Sequence, residues 1–214
     1  MAIVCRIIVY DEFTIPKYVA DQGQKMLEDL EEAYALKKPL GLDVTVTCKD
    51  KSFECSKFML TARSKVFNSM FQSNMKESQT NIVVIEDLKP SVVAEMLHYI
   101  HTGKVPKIDE NAQGLLAAAD RYQLEDLKRS CEENLISTLK DQNMFNILIL
   151  SDVYSAARLK KKAIKFVTEN LSSTSSDWKK ELAEYPSLWP DIVESLLNLN
   201  SKLMSELKET VPWR

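Results

Sequence analysis

The sequence predicts an α+β domain followed by an all-helical extension. Strand patterns end by Ile85, helical patterns fill the chain from Asp109 onward, and no repeat with a period of about 20–50 residues is present. With 214 residues, of which 45% are hydrophobic and 28% charged, the chain can bury a substantial core.

The N-terminal part combines a strand pattern with an amphipathic helix. Residues 1–10, MAIVCRIIVY, are apolar on both faces, which is typical of a strand buried on both sides or covered by a partner sheet. Residues 11–21 contain Pro16 and are predicted to be a linker. The helix that follows carries an apolar stripe made of Met26, Leu27, Leu30, Ala33 and Tyr34, and it ends before Pro39 and Gly41.

The next part predicts a small sheet with short helices around it. A hairpin is predicted from Asp43 to about Phe53 and a third strand at 81–85. Short helices at 57–62 and 64–71 each follow a serine, Ser56 or Ser64, whose hydroxyl can cap free backbone N–H groups. Pro90 is predicted to begin a helix that runs to about His101 and is ended by Gly103 and Pro106.

From Asp109 onward the chain is predicted to be a series of helices with no strands. The breaks lie at Gln123, at Lys140-Asp141, near Ala157, at the polar run 172–176 and at Pro186. The predicted helices are 109–121, 124–138, 141–155, 158–171, 175–184 and 187–199.

Charge and glycine content exclude several function classes. The 28 Lys and Arg against 31 Asp and Glu leave a net charge of -3, which gives no electrostatic reason to expect a nucleic acid or an anionic membrane as partner. The four glycines are too far apart to form a phosphate-binding loop of the Rossmann or Walker type.

Cysteine spacing and hydropathy favour a reduced, intracellular chain. The four cysteines form no CxxC pair, and no N-terminal signal pattern is present. The longest strongly apolar stretch, 144–150, contains Asn146 and is far shorter than the roughly 20 residues that a membrane span takes.

Candidate metal-binding and catalytic residues are few. His98 and His101 lie three residues apart on one predicted helix, and Cys48 and Cys55 flank the hairpin, but their spacing matches no common zinc pattern. Packing roles are therefore favoured over a metal site. No nucleophile or metalloprotease motif occurs, and the acidic residues lie on helix faces beside Lys or Arg, so the chain is predicted not to be an enzyme and to need no cofactor.

Excess apolar surface indicates an interaction module. The first helix has its own apolar stripe, and Met70, Phe71 and Met75 cluster around the end of a short helix. Such residues belong either to an ordinary core or to an interface, and composition alone leaves both readings open.

A series of short motifs, in order along the chain, resembles a BTB/POZ domain. They are DVTV at 43–46, FECSK at 53–57, LTARSKVF at 60–67, MF at 70–71, MKES at 75–78, YIHTG at 99–103, LLAAADRYQLEDLK at 115–128 and CEENL at 131–135. Departures from the usual pattern are Ser56 in place of His, Lys65 in place of Pro, and His101 in place of an aromatic residue.

Flanking segments resemble the MATH-BTB, or speckle-type POZ protein-like, subfamily. IVCRIIVYD at 3–11 is similar to the closing strand of a MATH domain, and ILILSD at 147–152 with LKKKAIKF at 159–166 is similar to the short BACK region. The resemblance implies a MATH remnant and linker at 1–21, a BTB/POZ domain at 22–138, a BACK-like extension at 139–200 and a tail at 201–214. Nearly all of the MATH domain would then be missing.

The resemblance also implies a function. Members of this family are dimeric adaptors that dock on a cullin-3 scaffold and present a bound substrate protein for ubiquitin transfer. Their hydrophobic-x-Glu cullin motif matches Met75 and Glu77, and Tyr122 and Leu124 are further candidates for the same surface. The dimer face would be the first helix, through Leu27, Leu30 and Tyr34.

The alternative is a non-catalytic scaffold, or a dominant-negative chain that pairs with full-length MATH-BTB proteins. The expected partners are cullin-3, a second copy of the chain or a related BTB chain, and an unknown substrate protein, and the alternative role would dispense with the substrate. The expected location is intracellular, in the cytoplasm, the nucleus or both. The C-terminal VPWR at 211–214 is not the basic tail that carries a nuclear signal in relatives, so the sequence shows no clear nuclear signal.

Overall fold

A computed structural model describes residues 17–35, 41–73, 75–170 and 182–210. Its strands are β1 Leu42–Cys48, β2 Lys51–Ser56 and β3 Ile82–Val84. The helices before residue 140 are α1 Lys17–Ala35, α2 Lys57–Arg63, α3 Lys65–Gln72, α4 Lys76–Thr80, α5 Pro90–Thr102, α6 Ile108–Arg121 and α7 Glu125–Ser137. After it come α8 Met144–Val153, α9 Ala157–Asn170, a 3-10 turn at Pro186–Leu188 and α10 Trp189–Thr210. The predicted α+β domain with a helical extension is confirmed.

The three strands form one sheet in the order β2-β1-β3. The predicted hairpin is present: β1 pairs antiparallel with β2, and Val46 lies opposite Phe53. Strand β3 runs parallel to β1 on its other side, with Val83 opposite Val46. Every second residue of β1 is buried, which places one face of the sheet against the helices. The turn lacks glycine, and Lys49 takes the left-handed conformation instead, at φ 55°.

Several predicted boundaries differ from the observed ones. Helix α1 begins at Lys17, inside the segment predicted as a linker, because a proline such as Pro16 is compatible with the start of a helix. The helix at Lys76–Thr80 was not predicted, since five residues are too few to show a periodic pattern. The segment 1–10, with its predicted strand, lies outside the described residues.

The C-terminal end also differs from the prediction. Of the helix predicted at 175–184, residues 175–181 lie outside the described part of the chain and 182–184 form a turn. Helix α10 continues to Thr210, beyond the predicted end at 199 and through most of the predicted tail. The spacing of Leu196, Leu199 and Leu203 continues the helical pattern, and no glycine or proline interrupts it before Pro212.

Helix α5 is the central element of the core. It begins with Pro90 at its first position and ends at Gly103, which is left-handed at φ 76°, as the sequence predicted. Most of its side chains are buried, and it contacts α1, α2, α6 and β2. At Gly114 of α6, an added Cβ would lie 2.5 Å from Val92 Cγ2, so the helix α5–α6 contact depends on the absence of a side chain there.

Replacing Gly114 with alanine is therefore expected to destabilise the fold by about 1–2 kcal/mol, because the overlap with the stiff Val92 side chain outweighs the better helix propensity of alanine. Urea unfolding followed by circular dichroism measures the change. A Gly114→Ala chain that also carries Val92→Ala should lose less stability than the two single variants added together. If the losses in free energy of unfolding of the two single variants add up fully in the double variant, the contact between Gly114 and Val92 is not tight.

The helical extension packs on the end of the first domain. Helix α9 contacts α7, α8 and α10, and Leu159, Ala163 and Val167 along α9 are fully buried. Lys160 Nζ lies 2.8 Å from Asp152 Oδ1 and 2.7 Å from Asp191 Oδ2, so one ammonium group joins α8, α9 and α10. The two carboxylates raise the pKa of Lys160, and the group stays charged at neutral pH.

Candidate protein-interaction site

Helix α3 has a buried face and an open face. Phe67 and Phe71 point into the core, and Val66 and Met70 are half-buried at the surface. The helix begins after Ser64, whose side-chain oxygen accepts a hydrogen bond from the Phe67 N–H at 3.2 Å, as predicted. The cap fixes the start of α3 and with it the direction of its open face.

The predicted motif residue Met75 lies at the start of α4. It is the extended residue before the helix, and its carbonyl accepts hydrogen bonds from both the N–H and the hydroxyl of Ser78. Its side chain is 53% exposed. A half-exposed methionine on a well-anchored backbone is a flexible apolar side chain that a partner can cover.

A shallow groove of about 400 Å³ lies beside Met75. Its lining residues are Lys65, Val66, Ser69, Met70, Ser73, Met75 and Gln123. Val66 and Met70 are half-buried and give it apolar surface, whereas Lys65 and Gln123 are exposed polar side chains. This groove, the α3–α4 groove below, is suited to one or two apolar side chains of another protein rather than to a buried small molecule.

Glu77 lies in the first turn of α4 and is half-buried. Its backbone carbonyl accepts a hydrogen bond from the Asn81 N–H, and Asn81 ends the helix in the left-handed conformation at φ 54°. Lys57 Nζ donates to the Asn81 side chain at 3.1 Å, which ties the end of α4 to α2. Met75 and Glu77 are therefore both placed by local backbone bonds, close to each other along one turn.

The structure places the other two predicted cullin-site residues in the core. Tyr122 is 5% and Leu124 3% exposed, and the Tyr122 ring stacks on Phe67 with centroids 4.6 Å apart. Their side chains offer almost no surface, because the turn between α6 and α7 folds them inward and leaves Gln123 outside at φ 52°. Gln123, which sequence reasoning did not single out, is the residue of this turn that lines the groove.

The two serines that were predicted to cap helices give a matched test of how the site is supported. Ser64 Oγ both accepts from the Phe67 N–H and donates to the Tyr122 carbonyl at 2.7 Å, whereas the Ser56 side chain makes no capping bond. At the start of α2 the Asp43 carboxylate accepts from the Lys57 N–H instead, at 2.7 Å. The prediction of a Ser56 side-chain cap was wrong because this acceptor from β1 replaces it.

Ser64→Ala is expected to lower the free energy of unfolding by about 1–3 kcal/mol, since it leaves two buried backbone groups without a partner. Ser56→Ala is the control, and its cost should stay below about 1 kcal/mol because no capping bond is lost. Chemical denaturation of both variants measures the difference. Equal losses would show that Ser64 does not hold the start of α3.

The predicted dimer face of α1 is partly covered within the same chain. Leu27, Leu30 and Tyr34 are half-buried, and α1 contacts α5. The Tyr34 ring stacks on His98 and His101, with centroids 5.4 Å and 4.9 Å apart. Leu27 lies at the end of α5, where its Cδ2 atom is 3.6 Å from the place of a Cβ on Gly103. The side of the helix that carries this stripe therefore docks α1 on its own domain, and the exposed part of each side chain remains for a partner.

Two large apolar side chains lie at the surface, of which Met26 belongs to the predicted apolar stripe of α1 and Phe58 was not predicted. Phe58, at the start of α2, is 74% exposed, and Met26 of α1 is 62% exposed. The exposure of Phe58 could not be predicted, because an aromatic residue in a short apolar helix is usually a core residue. Exposed aromatic and methionine side chains are enriched at protein interfaces.

Candidate reactive groups in the described residues are built into the core. Cys48, Cys55 and Cys131 are buried and unpaired, and burial raises the pKa of the Cys55 and Cys131 thiols to about 12. Within the described ranges no group of three or more His, Cys, Asp or Glu side chains is arranged to hold a metal ion. Nor does any helix in that part of the chain combine the length and the apolar character that a membrane crossing takes.

The small sheet, the helical core and the open apolar groove define a protein-interaction module. Residues 34–139 are a BTB/POZ domain, since the family model for that domain matches them. Among solved structures the chain is similar to the BTB domain of zebrafish PATZ1, with 22% identity, a TM-score of 0.46, and coverage of 59% of this chain and all of that one. BTB domains mediate dimerisation and protein–protein interaction, and they are typically not enzymes.

Proposed function

We propose that the chain is a dimeric adaptor of a cullin-3 ubiquitin ligase. Many BTB domains have this role, and the chain carries the Met75-Lys76-Glu77 motif that the role uses. The observation that supports the proposal most is the position of Met75, half exposed on the rim of the open α3–α4 groove. A motif residue buried in its own core could not serve as a contact.

The groove has the features of a small interaction hot spot. A partner residue in the groove would exclude water from Met70 and Val66, and the exposed Lys65 and Gln123 can form hydrogen bonds to it. The half-buried Glu77 can accept a hydrogen bond from the partner or hold the backbone at the start of α4. The helices α8 and α9, which resemble the extension that enlarges the cullin contact, are present and well packed.

Mixing the purified chain with the N-terminal domain of cullin-3 tests the proposal. Isothermal titration calorimetry should detect a complex at micromolar protein. The absence of binding at that concentration would defeat the adaptor role, while leaving the BTB fold unaffected.

The subfamily assignment belongs to the same proposal. The similarity of residues 3–11 to a MATH strand and of the α8–α9 region to BACK supports a MATH-BTB origin, and the N-terminal segment lies outside the described residues. A chain of this kind would act in the cytoplasm or nucleus, where cullin ligases work. Co-purification of the chain with a full-length MATH-BTB protein tests whether the two can pair.

A further inference from the structure

Two histidines of α5 take part in the contact with α1. The Tyr34 ring lies nearly parallel to both imidazoles, with interplanar angles of 18° to His98 and 28° to His101. These three rings, the Tyr34–His98–His101 stack, form the contact between the last turns of α1 and α5. The sequence suggested packing roles for the two histidines, and the structure shows that both pack against the predicted dimer helix.

His101 is held in its neutral form by its hydrogen bonds. The Ser56 N–H donates to His101 Nε2 at 3.2 Å, so this nitrogen carries no proton, and Nδ1 therefore donates to the Leu97 carbonyl at 2.8 Å. His101 is only 2% exposed. Protonation of Nε2 would put two N–H donors against each other in a site closed to water, and the bond between β2 and α5 would be lost.

His98 is unfavourable to protonate for a different reason. Its Nε2 atom is buried, and among the described residues it has no hydrogen-bond partner. The charged imidazolium carries an N–H on both ring nitrogens, so its buried Nε2 N–H would have no acceptor among the described residues. Burial is the main cause that lowers the pKa of each histidine below its ordinary value of 6.5.

The charged groups around the stack do not cancel this effect. Glu31 of α1 and Glu95 of α5 favour the charged form of His98, but Glu31 pairs with Lys104 and Glu95 accepts a hydrogen bond from the Lys107 N–H. Arg63 of α2 lies over Tyr99, and its charge disfavours a second cation at His101, as does His98. The neighbouring side chains of Tyr34 and Cys55 stay neutral, since burial raises the pKa of each to about 12.

We propose that the Tyr34–His98–His101 stack is a proton-sensitive latch that releases α1 in acid and so weakens self-association. With α1 docked, both imidazoles are neutral and covered by Tyr34. With α1 released, His98 gains access to water and takes up a proton freely, and His101 loses the ring that shields it. The effect on self-association rests on the proposed role of α1 as the dimer face, whereas the release of α1 does not.

The sign of the pH dependence follows from the lowered pKa values. The released state binds protons near pH 6.5, and the docked state only at lower pH. Docking is therefore strongest above about pH 6.5 and weakens as the pH falls from 6.5 through the lower, docked-state values. For a histidine that cannot be protonated while α1 is docked, the docking equilibrium changes about tenfold for each pH unit below 6.5.

Hydrogen exchange of the full chain at pH 7.5 and pH 5.5, corrected for the intrinsic rate, measures the release directly. Amides of α1 that α5 covers should exchange at least about tenfold faster at the lower pH, while those of β1 and β2 keep their protection. Equal acceleration in α1 and the sheet would indicate global unfolding and would overturn the latch. So would α1 protection that does not change with pH.

Two variants show whether the histidines are responsible. His98→Phe keeps an aromatic ring under Tyr34 without a titrating group, and His101→Gln keeps an acceptor for the Ser56 N–H. His98→Phe alone should remove part of the acid sensitivity of α1, and the double variant most of it. The latch is refuted if both variants release α1 in acid as the natural chain does.

Sedimentation velocity at the same two pH values reports self-association separately. Acid release of α1 with an unchanged dimer would contradict the link to self-association and the placement of the dimer face, but it would support the latch itself.

Discussion

Replacing both motif residues, Met75→Ala with Glu77→Ala, is expected to weaken binding to the cullin-3 N-terminal domain by about thirty-fold or more. Interface hot-spot residues cost about 1–2 kcal/mol or more each when truncated, and 1.4 kcal/mol corresponds to a factor of ten. Met75 is 53% exposed beside the α3–α4 groove, so its truncation removes apolar area that a partner would cover. Calorimetric titration of the variant against the natural chain measures the loss.

A matched variant separates this effect from a general change of the surface. Val193 is 49% exposed on α10, next to the exposed Glu194, and neither residue lines the groove. Val193→Ala with Glu194→Ala therefore removes a similar apolar side chain and one negative charge elsewhere, and cullin binding should change less than about threefold. Equal affinities for the natural chain and the Met75→Ala, Glu77→Ala variant would show that the α3–α4 groove does not bind cullin-3.

Placing two aspartates on α1, Leu27→Asp with Leu30→Asp, is expected to convert the dimer to monomers. Each buried leucine contributes about 1.5–3 kcal/mol, and a carboxylate forced into an apolar interface costs more. Both side chains are half-buried in the described chain, so part of each remains for the partner. Size-exclusion chromatography with light scattering gives the mass of the variant.

Loss of the dimer has to be distinguished from loss of the fold. Leu27 also packs at Gly103 of its own chain, so the variant is expected to loosen α1 locally while the sheet and α5–α7 remain. Far-UV circular dichroism and the urea midpoint check the remaining domain. Gln24→Asp is the control, because Gln24 is exposed on the same helix, and it should stay dimeric. A dimer that persists in the Leu27→Asp, Leu30→Asp variant would rule this face out.

Local chemistry made several elements predictable. The proline and glycine that bound α5 act through their own backbone preferences, and the alternation of Val44, Val46 and Cys48 specifies which face of β1 is buried. The strand order and the parallel pairing of β1 with β3 were not predicted, since they depend on how α2 to α4 carry the chain across the sheet. Ser56 failed as a cap because its replacement, Asp43, comes from another element.

The candidate site likewise combines features set by local residues with features set by contacts between distant parts of the chain. Resemblance identified Met75, and the structure places it at the surface, but Tyr122 and Leu124 have the same apolar character in the sequence and lie in the core. A short apolar helix end gives no periodic signal that separates the two cases. Gln123 became part of the groove only through the turn between α6 and α7, and the stacking of Tyr34 on His98 and His101 is a contact between distant parts of the chain.

The mass of the complex formed with the cullin-3 N-terminal domain shows whether the chain is a dimeric cullin adaptor. Two copies of the chain joined through α1 would leave both α3–α4 grooves open, so light scattering of the purified complex should give two chains and two cullin domains. A dimer of the chain that elutes free of cullin, or a complex of one chain with one cullin domain, would contradict a dimeric cullin adaptor.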